Sequence, residues 1–180
     1  MEQGQIESLM TNVIDKDDIA NILVNYKTNL DGKEVAIIIR YAQSKNLIAH
    51  SLKSTNINKL TAFDIGRLLK FNAQVHIINM IVKYKTNLTS LEVKTILEEA
   101  PSRNLYDIAE KLGENNISKI EIKDMSEMFK TLTYDGSDED DNRKITLSKV
   151  LNQYHTNKTP EIQELINKYM NYLKDRGTSY

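Results

Sequence analysis

The chain offers few groups for covalent chemistry: three histidines, His50, His76 and His155, and no cysteine. Without thiols it has no disulfide framework, no thiolate nucleophile and no Cys-held zinc or iron–sulfur cluster. None of the histidines is followed at three or four residues by a second His or an acid, the spacing that sets two metal ligands on one helix face. His50 and Ser51 would place a base beside a nucleophile, but neighbours on a helix point about 100° apart. His76, between Val75 and Ile77, reads as a core-edge residue, and His155 as a surface residue. No phosphate loop, Gly-x-Ser-x-Gly elbow, His-Glu-x-x-His pair or dinucleotide glycine fingerprint is present. The expectation is a protein that is not an enzyme, with no catalytic residue, no metal ligand and no cofactor. An enzyme with an unfamiliar site of Glu, His and Tyr is one alternative.

The densest charge lies in Asp135-Gly-Ser-Asp-Glu-Asp-Asp141-Asn142. Asp138, Asp140 and Asn142 alternate as calcium ligands do, and Ile145 falls at the apolar position of an EF-hand loop. The match ends there, because Arg143 replaces the turn glycine and Lys149 stands where the bidentate Glu belongs. The stretch 133–143 therefore reads as a solvated, inserted acidic loop. Asp138, Glu139, Asp140 and Asp141 are candidates for docking a basic partner.

The elements that would position these groups come from repetition. Ile19–Leu47 aligns without a gap on Ile77–Leu105 at an offset of 58, with 15 of 29 positions identical. After a two-residue insertion, Asn56-Ile57 meets Asn116-Ile117, Leu60 meets Ile120 and Asp64 meets Asp124. A partial third copy carries Tyr154-His-Thr-Asn157 where the others carry Tyr26-Lys-Thr-Asn29 and Tyr84-Lys-Thr-Asn87. The motif reads as a helix–turn–helix corner. Asn29 suits the left-handed conformation that ends helices. Asp31 caps the next helix with Glu34 completing a capping box, and Leu30 packs on Val35 as a hydrophobic staple. Thr89, Glu92, Leu88 and Val93 repeat the set. In the third copy Thr159 is the cap and Pro160 the first helical residue, while Lys158 replaces the stapling Leu. The recurring Tyr26, Tyr84 and Tyr154 read as packing anchors with their hydroxyls at the surface.

What folding needs is shared by the copies, so a site is sought where they differ. Arg40-Tyr41 becomes Glu98-Glu99, which makes Arg40 and Tyr41 candidates for binding a partner. The remaining segments are amphipathic at helical spacing: 17–26, 65–71 behind a Thr61 cap, 105–112 ending at Gly113, 123–131, 146–154 and 160–174. Ile37-Ile-Ile39 lies in a helical period. The fold class is therefore all-α, with ten or eleven short helices arranged as a compact helical-repeat bundle or short α-solenoid. Such helices are too short to stand alone and must hold one another. One domain is expected, with copies at about 15–72, 73–132 and 144–174 and a flexible tail at 175–180.

Composition agrees. The 180 residues carry 24 Lys+Arg against 25 Asp+Glu, with two Pro and six Gly, which excludes collagenous and turn-rich all-β chains. Residues 1–90 hold 11 basic and 8 acidic side chains, and residues 91–180 hold 13 and 17. The basic residues of the first half, among them Lys27, Arg67 and Lys70, are scattered without interleaved aromatics. Nucleic-acid binding by that half is thus the alternative and not the first expectation. With 19 Lys to 5 Arg, 21 Ile and 18 Asn, the usage suits an AT-rich genome, as in many bacteria, viruses and protists. No secretory signal is visible, and the longest apolar run, Val35–Ile39, is far short of a membrane span. The expectation is a soluble, cytoplasmic adaptor that binds another protein and no membrane. An accessory or effector protein of a microbe or virus, acting in virulence on a cellular partner, is one version of it.

Overall fold

A computed structural model describes residues 3–71, 75–132 and 138–171. It is all-helical, with eleven α-helices, one short 3-10 turn and no strand among the described residues. The helices gather into two compact units, Met1–Leu88 and Thr89–Tyr180, so the division falls inside the second sequence copy. Unit 1 holds α1 (Gln3–Asn12), α2 (Lys16–Tyr26), α3 (Gly32–Tyr41), α4 (Lys45–Ile57), α5 (Ala62–Phe71) and α6 (Val75–Tyr84). Unit 2 holds α7 (Ser90–Glu99), α8 (Leu105–Ile117), α9 (Ile122–Thr131), α10 (Asp138–Tyr154) and α11 (Pro160–Met170). In unit 1, α3 packs against α1, α4 and α5, and α4 against α2 and α6. In unit 2, α7 packs against α8 and α9, α8 against α10, and α11 against α9 and α10.

The helix bounds follow the sequence offsets. Shifting α3 by 58 gives α7, and shifting α4 and α5 by 60 gives α8 and α9. The start of each corner helix is fixed as expected. Asp31 accepts from the Glu34 N–H while Glu34 accepts from the Asp31 N–H, and Thr89 with Glu92 does the same. The residues expected to staple, Leu30, Val35, Leu88 and Val93, are all buried. Thr159 caps α11 with Pro160 in its first turn. Inside each unit, Ile38, Ile39, Leu52 and Ile65, or Ile96, Leu97, Leu112 and Met125, are sealed from solvent. Each such burial contributes about 1.5–3 kcal/mol.

The corner itself differs from the expectation. Among the described residues the positive-φ positions are Lys53 and Gly113, and Asn29 is not one of them. Helix α2 ends instead on an extended Lys27, whose N–H bonds the Leu23 carbonyl at 3.0 Å. The Lys27 ammonium then ties the turn by reaching Glu34 at 2.9 Å and the Asn29 carbonyl at 3.3 Å. A left-handed residue is not needed where a side chain holds the turn. Lys53 (φ 55°) and Gly113 (φ 72°) break α4 and α8 at the same place, 60 residues apart. Gly113 leaves the helix as expected, but the chain re-enters it and runs to Ile117.

The acidic loop is corrected. Its described part, from Asp138, is the start of α10. Acidic residues in a first turn suit the positive end of a helix. Asp141 is buried and pairs with buried Lys144 at 3.2 Å. Arg143 caps the end of α7, donating to the Leu97 carbonyl at 3.2 Å, the Glu98 carbonyl at 2.6 Å and the Ser102 hydroxyl at 3.2 Å. A calcium loop is incompatible with that helical backbone. Residues 133–137 of the expected loop and the expected tail 175–180 lie outside the described residues. Helix α1, with few apolar residues, was not foreseen; it is held by the buried Ile6 and Met10. No helix among the described residues is long and apolar enough to cross a membrane.

Candidate functional site

Each unit closes its corner on the preceding interrupted helix in the same way. In unit 1, the Asn58 side chain accepts from the Thr86 N–H at 2.9 Å and donates to the Thr86 hydroxyl at 3.0 Å. In unit 2, the Ser118 hydroxyl accepts from the Thr156 N–H at 2.9 Å and meets the Thr156 hydroxyl at 2.8 Å. Beside these locks, Lys85 donates to the Asn58 carbonyl at 2.8 Å, and His155 Nε2 donates to the Ile120 carbonyl at 2.9 Å. Both residues are buried. His155 is therefore not a surface residue: it takes the inward place that the motif lysine holds in unit 1. Its Nδ1 has no hydrogen-bond partner among the described residues.

With the backbone repeated, the differences stand out on one row of helices. In unit 1 a groove runs along α3 between α1 and α5. Glu7 comes from α1, Lys33, Ala36, Ile37 and Arg40 from α3, and Asp64, Arg67 and Leu68 from α5. They enclose a small cavity of ≈30 Å³ over an apolar floor of buried Ile37 and Leu68. Both carboxylates already accept bonds. Asp64 takes the Thr61 N–H at 3.0 Å and the Thr61 hydroxyl at 2.7 Å, and Glu7 takes the Tyr41 hydroxyl at 3.2 Å. Arg67 lies 5.9 Å from the ring of exposed Phe63.

At the equivalent positions of unit 2 the charges differ and are paired with one another. Ala36 becomes Lys94, Arg40 becomes Glu98 and Arg67 becomes Glu127. The Lys94 side chain, 9% exposed, reaches Glu127 at 2.6 Å and Asp124 at 3.9 Å. Burial alone would lower the Lys94 ammonium, but the Glu127 hydrogen bond and the nearby Glu98, Glu127 and Asp124 charges hold it above its ordinary value. Burial pushes the Glu98 carboxyl up, against the pull of Lys94 and of the Thr131 hydroxyl. Glu127 is held low by its bond to Lys94.

The residues singled out from sequence sort cleanly. Arg40 lines the unit 1 groove. Tyr41 is half-buried, ties α3 to α1 through Glu7, and lies 5.2 Å from Arg40 and 5.9 Å from Lys16 by its ring. Asp141 is an internal ion-pair member, not an exposed docking group. The side chains of Asp138, Glu139 and Asp140 lie outside the described residues. His76 is exposed on α6 and is not a core-edge residue. His50 is also exposed, and its Nδ1 meets the Tyr84 hydroxyl at 3.2 Å. Tyr26 is 81% exposed and does not serve as a packing anchor. No three His, Asp or Glu side chains converge on one point among the described residues. Ala36, Lys94 and Glu127 were missed by sequence reasoning, and Arg67 was noted only among the scattered basic residues of the first half. Carrying the alignment past Asp64 at its offset of 60 would have set Arg67 against Glu127.

The fold is all-α, with helical corners at matching sequence offsets and, in unit 1, a charged cleft over Ile37 and Leu68. No protein-family model matches the chain, no curated protein matches its sequence and no solved structure matches its fold.

Proposed function

We propose that this protein is a non-enzymatic binding module that holds another protein on the α1–α3–α5 face of unit 1. The observation that carries the reading is the contrast at equivalent positions. Capping boxes and locks recur in both units, whereas Ala36, Arg40 and Arg67 are replaced by Lys94, Glu98 and Glu127. A position that folding constrains should look alike in two copies of one backbone; these three do not. In unit 2 Lys94 pairs with Glu127 and Asp124, whereas in unit 1 the small Ala36 leaves a cavity lined by Lys33, Arg40 and Arg67 together with Glu7 and Asp64. Polar rims around apolar floors are the usual anatomy of protein-binding clefts. Nucleic acid is the rival occupant, and Glu7 and Asp64 in the same groove oppose a phosphate backbone.

A photo-crosslinking residue placed at Ala36 tests this. Irradiation in the source cell should attach a protein to the chain, and the same residue at Thr55 in α4 should attach it far less. Crosslinks to nucleic acid alone, or equal protein yields from both positions, would overturn the proposal.

A further inference from the structure

We infer that the outer face of α2, carrying Ile22, Tyr26 and Thr28, docks an amphipathic helix of a protein partner whose last turn presents an Asn or Ser side chain. This goes beyond the binding-module reading above, which concerns the α1–α3–α5 face.

The chain closes one kind of latch twice within itself. The latch is Tyr-Lys-Thr at 84–86, at the end of α6, and Tyr-His-Thr at 154–156, at the end of α10. Helix α6 is packed against α4, and α10 against α8. The Tyr84 hydroxyl meets His50 of α4 at 3.2 Å, with the two rings edge-on and 6.3 Å between centroids. Lys85 and His155 each donate to a carbonyl of the covering corner, at 2.8 and 2.9 Å. The Thr86 and Thr156 N–H groups each donate to a polar side chain there, Asn58 or Ser118. Tyr84 and Tyr154 are half-buried, and Met80, one turn before Tyr84, is only 4% exposed.

Helix α2 carries the same set with the latch open. At the offset of 58, Met80, Tyr84, Lys85 and Thr86 fall on Ile22, Tyr26, Lys27 and Thr28. Ile22 and Tyr26 are four residues apart and share a helix face, yet they are 51% and 81% exposed. Neither the Tyr26 hydroxyl nor Thr28 has a hydrogen-bond partner among the described residues. Lys27 stays within its own corner, on Glu34 and the Asn29 carbonyl. A face of a helical-repeat protein that is left to water is normally polar. This one keeps an apolar residue and a tyrosine, and tyrosine is enriched in binding hot spots.

The covers that the chain uses on itself define the chemistry of the occupant. Each is a helix, α4 or α8, laid along the latch helix and followed by a side chain that accepts the threonine N–H. Helix α4 adds His50 for the tyrosine hydroxyl. A partner helix with that edge would cover Ile22, hold the Tyr26 hydroxyl and satisfy the Thr28 N–H, the helix-on-helix mode of recognition. A nucleic-acid strand would leave Ile22 unused, and the exposed Asp18, one turn before it, would repel phosphate.

The test uses the full chain and a fluorescein-labelled peptide of residues 44–60, which carries the covering edge of α4, read by fluorescence anisotropy. The peptide should bind saturably. Ile22→Ser with Tyr26→Ala should weaken binding about tenfold or more. Both side chains are exposed, so the fold should persist, as circular dichroism can verify. A peptide with His50→Ala and Asn58→Ala should bind about threefold more weakly or worse. Tyr106→Ala, at an exposed aromatic of unit 2, should leave binding unchanged. No binding, or equal binding of the substituted peptide, would overturn the inference. Indifference to the Ile22 and Tyr26 changes would do the same, because the peptide would then be replacing α4 in its own place. So would displacement of the peptide by a single-stranded DNA twelve-mer. A dimer of the chain, seen by sedimentation and lost on Tyr26→Ala, would give the face to a second copy and overturn the inference as well.

Discussion

In unit 1 the first residue of the corner helix is Gly32; in unit 2 it is Ser90. A Cβ built on Gly32 would fall on the Lys59 carbonyl oxygen and within 3.0 Å of Asp64 Oδ2. Ser90, in contrast, has room for a side chain, and its hydroxyl donates to Asp124 at 2.7 Å. One turn further on, Ala36 faces an open groove and Lys94 fills its counterpart. So α3 is drawn tight at its first residue and left unfilled in its middle, whereas α7 carries polar side chains at both places. Identical caps and staples therefore do not dictate identical grooves. The corner sets where the helix starts, and a few small residues decide whether the space beside it is closed or available.

The sharpest break of this comparison is to give unit 1 the residue of unit 2. Gly32→Ser should destabilise the protein by about 3 kcal/mol, because backbone rather than a flexible side chain stands in the way. The reverse change, Ser90→Gly, removes one hydrogen bond and should cost about 1 kcal/mol. Urea unfolding followed by circular dichroism measures both. Equal costs would mean that the two helix starts are equally spaced from their neighbours.

Next in size is the buried ammonium. Lys94→Met keeps most of the stem and removes the charge, and should cost about 2 kcal/mol at pH 7. Its pH dependence has a defined sign. Lys94 is held above its ordinary value in the folded protein. Its contribution is complete below the unfolded lysine value of about 10.4 and is lost as pH rises through the higher folded value. The gap between wild type and Lys94→Met should therefore close in strong alkali. Glu98 makes stability fall with rising pH as Lys94 does, but in the acidic range, because burial raises its carboxyl. Stability falls as pH climbs from the unfolded carboxylate value toward the folded one, and Glu98→Gln should flatten that limb. A flat profile from pH 4 to 7 in the wild type would remove the argument that the unit 2 groove is a closed charge cluster.

What was legible in the sequence was mostly what local chemistry decides. Capping boxes at Asp31 and Thr89, the Thr159–Pro160 start and the helical period through Ile37–Ile39 depend on residues within a turn of one another, and all are found. Asn29 failed because a longer-range partner, the Lys27–Glu34 pair, fixed the turn another way. The run at Asp138–Asp141 read as solvated from composition. Its helical state depends on Lys144 and on the α7 carbonyls that Arg143 reaches, which are remote in sequence or in register. His155 and Tyr26 exchanged their expected places for the same reason: burial at the corner is set by the neighbouring helix, not by residue type. The groove was half visible. Arg40 against Glu98 lies in the gapless part of the alignment, while Arg67 against Glu127 and the cavity at Ala36 require knowing that α3 and α5 face one another.

Smaller effects are expected where the helices α4 and α8 are broken. Lys53 has a φ of 55° and Gly113 a φ of 72°. A side chain in this region is strained, and Gly is not. Lys53→Gly should stabilise unit 1 by about 1 kcal/mol, and Gly113→Ala should destabilise unit 2 by about 1–2 kcal/mol. Opposite signs are the point of the pair. Losses from both changes would show that the Lys53 side chain contributes more than its backbone strain costs.

The smallest difference should be at the locks, where the two units solve one problem with different residues. Asn58 offers Thr86 both an acceptor and a donor, at 2.9 and 3.0 Å. Ser118 offers Thr156 one hydroxyl that serves both contacts, at 2.9 and 2.8 Å. Each lock is exposed to water, so each net bond is of modest value, and Asn58→Ala and Ser118→Ala should both cost about 1 kcal/mol. Hydrogen exchange at the Thr86 and Thr156 amides reads the effect locally: protection should fall at Thr86 alone in the first variant and at Thr156 alone in the second. If either substitution loosened the other unit's corner as strongly as its own, the locks would belong to one shared cooperative element and not to each unit separately.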